Sequence, residues 1–139
     1  MKFKGEQNFQ HENEQKKGVL IAYLGTPDSP DVLSVRRYLK EFLSDPRIIE
    51  VPKIIWWFIL NIFILNFRSF NSARLYKSIW TDGGSPLLVN CIKIKEKVQK
   101  SLPSNYQVAL GMRYGNPSIK SALNELKEYS KKNKLYKSY

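Results

Sequence analysis

The sequence predicts an α/β fold, an incomplete parallel-sheet domain with flanking helices, and three observations predict it. Gly18-Val-Leu-Ile-Ala-Tyr-Leu24 is a short, almost unbroken apolar run that stops at Gly25, the pattern of a strand buried on both faces. Tyr106–Met112 is a second strand candidate, alternating less cleanly and ending at Arg113-Tyr-Gly-Asn-Pro117. Elsewhere apolar residues recur at helical spacing, so the order is strand, helices, strand, helix, with no third strand before a polar, lysine-rich end. Two parallel strands cannot bury the surfaces these helices present, and the domain therefore reads as truncated.

Residues 1–17 are polar, with charges of both signs and no apolar stretch, so they read as a disordered leader and not as a secretory signal. The single histidine, His11, lies there and is assigned no role. Gly18–Leu24 should be a central strand. Gly25-Thr-Pro-Asp-Ser-Pro30 follows as a turn-rich loop at the strand's carboxyl end, the edge where open α/β sheets bind ligands. Ser29 is expected to cap a helix with Pro30 at its first position. Val32, Val35, Leu39, Phe42 and Leu43 give that helix one apolar stripe, and Ser44-Asp-Pro46 ends it.

After Pro52 the run Ile54–Leu65 is apolar on nearly every side. A bilayer span needs ~20 predominantly apolar residues, and this stretch is shorter, interrupted by Asn61 and flanked by Lys53 and Arg68. Trp56, Trp57 and Phe58 are therefore expected at a membrane surface or at the lip of a ligand cleft, the alternative being a plain buried helix. Ser69–Trp80 reads as a separate helix, closed by the turn Thr81-Asp-Gly-Gly-Ser-Pro86. Leu87, Cys91, Ile94, Val98 and Leu102 mark another amphipathic helix, broken at Pro103–Asn105. Asn116 and Pro117 should cap and start a last helix with Ile119, Ala122, Leu123 and Leu126 on one face. The domain would then run over residues 18–129, with residues 130–139 as a lysine-rich tail.

Composition narrows the function classes. The 23 Lys and Arg against 12 Asp and Glu give a net charge of +11, which favours an anionic partner. A nucleic-acid surface would interleave basic and aromatic residues on one face, whereas here the aromatics concentrate in an apolar segment with basic residues only at its flanks, so no nucleic-acid partner is expected. One cysteine, Cys91, excludes an intrachain disulfide and suits a reducing, cytoplasmic setting; it reads as a small core residue. Neither glycine-rich phosphate cradle occurs, nor zinc-spaced His and Cys, nor a G-x-S-x-G elbow. Asp28, Asp31, Asp45 and Asp82 sit at turns or helix starts, where carboxylates usually cap.

Seven strings in fixed order stand out: Leu24-Gly-Thr-Pro-Asp28, Phe42-Leu-Ser-Asp-Pro-Arg47, Trp56-Trp57, Ser72-Ala-Arg-Leu-Tyr76, Ser78-Ile-Trp80, Gly84-Ser-Pro86 and Met112-Arg-Tyr-Gly-Asn-Pro117. Together, from about Gly18 to Glu128, they resemble the amino-terminal part of bacterial ferrochelatases, departing from many of them at Phe58 and Phe70, where proline is expected. The resemblance implies a two-domain fold, each domain a four-stranded parallel sheet, with porphyrin in the cleft between them and Fe²⁺ and protoporphyrin IX as substrates of protohaem synthesis. It places Leu24 on the macrocycle face opposite metal delivery, or in ordinary core. It places Ser85, Arg113 and Tyr114 in pocket segments, where a helix-capping loop and a structural ion pair are the alternatives. The family's proton-accepting histidine and iron-delivering glutamate fall beyond Tyr139, so no catalytic residue, metal ligand or bound cofactor is expected in this chain. Alone it should be inactive. The expected partners are porphyrin, a peripheral membrane surface such as the inner membrane, and the missing carboxy-terminal domain; a stand-alone porphyrin- or membrane-binding module is the alternative.

Overall fold

The computed structural model describes residues 16–132. Two strands, β1 (Lys17–Thr26) and β2 (Tyr106–Gly115), pair in parallel, with Lys17 beside Tyr106 and Thr26 beside Gly115. Between them lie α1 (Val32–Leu43), α2 (Lys53–Phe58), a π-helical segment (Ile59–Arg68), α3 (Ser69–Ile79) and α4 (Pro86–Ser101). α5 (Ile119–Lys132) follows β2. Residues 1–15 of the expected leader, with His11, and the last residues of the expected tail lie outside the described residues, whereas β1 starts one residue inside the expected leader at Lys17 and α5 continues past the expected boundary at 129 to Lys132.

Burial falls on β2 more than on β1, because helices cover β2 on both faces. Cys91 of α4 is buried against Leu110 and Met112, with Ile21 and Tyr23 of β1 partly buried against the same cluster. On the other face α5 lies so close that a Cβ at Gly111 would sit 2.8 Å from the Ile119 Cα. Only hydrogen fits there. β1 is not the fully buried central strand its apolar run suggested: of its residues only Gly25 and Thr26 are buried, and Leu24 is 53% exposed. The reason is topological, since among the described residues β1 has a neighbouring strand on one side only. The far edge of β2 is partly closed by its own chain. The Gln99 side chain donates to the Tyr106 carbonyl at 2.9 Å and accepts from the Val108 N–H at 2.7 Å, and Met112 N donates to the Pro117 carbonyl. Three of the backbone groups that would otherwise invite another strand are thus satisfied.

Two helix starts differ from the sequence reading. Asp31, not Ser29, caps α1: its Oδ1 accepts from Leu33 N at 2.8 Å and Ser34 N at 2.9 Å, leaving Pro30 before the helix. An ionised carboxylate is a stronger acceptor than a hydroxyl, and Ser29 instead donates its one hydroxyl hydrogen to that carboxylate while its oxygen meets the Ser34 hydroxyl at 2.8 Å. At α5, Ser118 Oγ accepts from Ser121 N at 3.1 Å, while Asn116 turns its amide to the Asp28 carboxylate.

The apolar run does not end at Leu65. Lys53–Ile79 is one continuous helical rod of 27 residues, about 40 Å long at a rise of ~1.5 Å per residue. By length and composition alone it could cross a membrane. One stripe is nonetheless committed inward, through Leu60, Leu65, Ser69 and Ala73, against α1. The first step of that stripe is five residues and the next two are four, as the wider i to i+5 turn of the π segment requires. Asn66 Nδ2 donates to the carbonyls of Asn61 and Ile62, and Ser69 Oγ donates to the Leu65 carbonyl, satisfying acceptors in the altered ladder. The opposite side exposes Ile55, Trp57, Phe58, Ile62, Phe63 and Phe67.

Gly25 carries the tightest backbone contact. Its φ is +119°, and a Cβ there would lie 1.8 Å from the Tyr114 carbonyl oxygen. Gly25→Ala combines a strained backbone with an overlap that backbone movement alone can relieve, so it should cost roughly 3 kcal/mol. Gly18→Ala meets only the flexible Leu126 side chain at 3.2 Å and should stay within about 0.5 kcal/mol. Urea unfolding of the two variants measures the difference; equal midpoints would remove the contact from any structural role.

Candidate functional site

Three of the strings singled out in the sequence meet at the carboxyl edge of the sheet. β1 delivers Leu24–Asp28, the end of α1 delivers Phe42–Arg47, and β2 delivers Met112–Pro117. Asp45 joins them. Its Oδ2 accepts from Arg113 Nη2 at 2.7 Å and from the Tyr114 hydroxyl at 3.0 Å, while Oδ1 accepts from Arg47 N at 2.9 Å. The backbone bond from Arg47, then those from Arg113 and Tyr114, hold the carboxyl down at about 2, against an ordinary 3.8. Asp45 is therefore an anion at any physiological pH. In return Asp45, foremost, and Tyr114 push the Arg113 guanidinium up.

Aromatic packing supports this edge from beneath. Tyr38 and Phe42 stack with ring centroids 6.0 Å apart, and Phe42 meets Tyr114 edge-on at 5.3 Å. The Tyr38 hydroxyl donates to the Gly25 carbonyl at 3.2 Å, and burial, with smaller contributions from Tyr76, Tyr114 and Glu41, raises the Tyr38 phenol to about 12. Glu41 accepts from Gly115 N at 3.1 Å, and Asn116 Nδ2 reaches Asp28 at 3.0 Å. Thr26 Oγ1, buried at the same edge, has no hydrogen-bond partner among the described residues.

The residues expected to form a site fall into three situations. Leu24 is exposed at the strand end, so ordinary core does not describe it here. Arg113 is half exposed yet already paired with Asp45, and the ring of Tyr114 is buried against Phe42 with the Arg113 guanidinium 5.5 Å from its centroid. Ser85 is 2% exposed and its hydroxyl oxygen accepts from Leu88 N at 3.2 Å as the cap of α4. The lip residues also separate. The Trp56 indole N–H donates to the Leu43 carbonyl at 2.7 Å and pins the rod to α1, whereas Trp57, 58% exposed, and Phe58 face outward.

Asp45 is the member that sequence reasoning missed. Its place in a helix-terminating Ser-Asp-Pro made capping the natural reading, and 68 residues separate it from Arg113. The available signal was that both residues belong to the unusual strings and carry opposite charge. An open hollow of about 450 Å³ lies beside Arg113, lined also by Met112, Ser118, Ile119, Lys120 and Leu123. Among the described residues no group of three or more His, Cys, Asp or Glu side chains is placed to hold a metal ion.

The Ferrochelatase family model matches residues 16–136. Relatives named ferrochelatase include those of Alcanivorax borkumensis, 53% identical over 88% of this chain and 37% of that protein, and Thioalkalivibrio sulfidiphilus, 48% identical over 92% of this chain and 36% of that protein. The ferrochelatase of Coxiella burnetii is 53% identical over 84% of this chain and 33% of its own length. The chain spans about a third of the length of these relatives.

The lowered Asp45 carboxyl has a defined pH signature. A folded value below the unfolded one contributes stability that is fully present above about pH 4 and is lost as pH falls through about 2. The urea midpoint should therefore drop across that window, and Asp45→Asn should start lower and fall less. Asp31, lowered by its bonds from Ser29 and Ser34, titrates in both proteins and does not alter the comparison. Parallel pH profiles would show that Asp45 is not an energetic anchor.

Proposed function

Because the chain belongs to the ferrochelatase family, we propose that residues 16–132 form one wall of a porphyrin cleft in an enzyme that inserts Fe²⁺ into protoporphyrin IX to make protohaem. The observation that carries this reading is the meeting of three motif strings at one sheet edge, where an apolar side chain, Leu24, is exposed close in sequence to the Gly25–Tyr114 contact. A planar macrocycle needs an apolar contact surface and a cation for its propionates, and Leu24 and Arg113 are of those two kinds. Ser85 serves at one remove, by capping α4 and so holding the Gly84–Pro86 loop. Iron insertion also requires removal of two pyrrole protons in a water-poor site. Asp45 is held too acidic for that, and both its oxygens already accept hydrogen bonds, so these residues bind and orient while proton removal falls to groups outside 16–132.

The same reading assigns the outward face of the helical rod to a lipid surface, in a cytoplasmic protein that sits peripherally at the inner membrane. Trp57, Phe58 and Phe63 present ring surface there, Lys53 and Arg68 flank them, and the whole chain carries +11.

Binding of protoporphyrin IX should quench the intrinsic tryptophan fluorescence of the chain. Leu24→Asp, an exposed change that should leave the melting temperature unaltered, is expected to weaken that binding roughly tenfold, since it sets a carboxylate against an apolar ring. Unaltered affinity would take Leu24 out of the cleft.

For the rod, the chain should co-sediment with phosphatidylglycerol-containing vesicles and be released by high salt or alkaline carbonate. Trp57→Ser with Phe58→Ser should reduce the bound fraction without lowering the melting temperature, whereas Trp56→Ser should lower the melting temperature through the lost bond to Leu43. A bound fraction that resists both washes would replace the peripheral reading with insertion.

A further inference from the structure

We propose that Asp45 is a positioning residue that makes this edge selective for a ligand bearing carboxylates. The inference rests on the porphyrin reading and deepens it. A guanidinium has five N–H donors in a planar fork. The bond from Arg113 Nη2 to Asp45 Oδ2, at 2.7 Å, uses one of them. The same oxygen takes the Tyr114 hydroxyl, which fixes the carboxylate from the neighbouring residue, and the backbone N–H of Arg47 fixes its other oxygen. With its carboxylate thus tied at both oxygens, Asp45 sets where the guanidinium lies. Arg113 remains 48% exposed, so the donors that Asp45 and Tyr114 do not engage can reach a second carboxylate without breaking the first bond.

Such an arrangement differs from a simple counter-ion. A counter-ion competes with an incoming propionate for Arg113, and removing it tightens binding. A positioning carboxylate lowers the ordering cost of forming the propionate bond, and removing it weakens binding of the acid while sparing a ligand that has no acid to offer. The charged groups that face Asp45 are Arg113 across the sheet edge and, through its backbone, Arg47.

The 139-residue chain is titrated in detergent micelles with protoporphyrin IX and separately with its dimethyl ester, which keeps the macrocycle and lacks the carboxylates. For Asp45→Asn, affinity for the acid should fall about tenfold and affinity for the ester should change less than twofold. Combining it with Arg113→Lys should add nothing further, because the two residues act as one unit. Equal loss for acid and ester would mean that Asp45 only supports the fold, and tighter binding of the acid would mean that it competes; either overturns the proposal. Should Asp45→Asn fail to fold by thermal melt, Asp45→Glu keeps the charge but moves it by one methylene, and the same acid-selective loss, about threefold, is expected. Failure of the wild-type chain to bind either porphyrin would overturn the cleft reading and this one together, an outcome distinct from equal loss in the variants.

Discussion

Everything at the carboxyl edge depends on how closely β1 and β2 approach there. At Gly25 the Tyr114 carbonyl occupies the space a side chain would need, so the strands come together at the point where both end. That contact brings the loop after β1 beside the loop after β2. It also sets Tyr38 of α1 under Gly25 and Asp45 at the end of α1 beside Arg113. A parallel sheet places the ends of its strands at one edge, and here the closing contact is backbone on backbone, which side-chain packing cannot adjust.

The two flanks of this sheet are unequal. β2 is covered by α4 and α5, and its outer backbone is closed at one end by Gln99 and at the other by the turn at Pro117. β1 is paired on one side and half exposed over most of its length. A two-stranded sheet has few ways to bury a run as apolar as Val19–Leu24, and the asymmetry fits a segment that spans about a third of its relatives' length.

The helical rod shows a similar division. Its inward stripe is bound to α1 and its first turns are pinned by Trp56, while the other faces carry aromatic and branched side chains into solvent. Two adjacent tryptophans thus do opposite things. About 100° of helical rotation separates them, enough for one indole to reach a backbone carbonyl and the other to face outward.

Much of this was legible in the sequence. Both strands, the parallel pairing, the α1 stripe around Val35, the stop at Ser44-Asp-Pro46 and the burial of Cys91 follow from local apolar period and turn chemistry, which act over a few residues, whereas Leu87, Ile94 and Leu123, read as stripe members of α4 and α5, are exposed. The family followed from strings whose order survives without knowledge of contacts. The structure decided what depends on distant partners. Asp31 displaced Ser29 as a cap, the rod ran on through a π segment where a break was read, and Ser85 turned inward as a cap. Asp45, a turn residue in one dimension, became the tie between Arg113 and Tyr114 in three. Its role arises from a pairing across 68 residues, and sequence spacing records no such distance: only the closure of the sheet brings that carboxylate and that guanidinium to 2.7 Å.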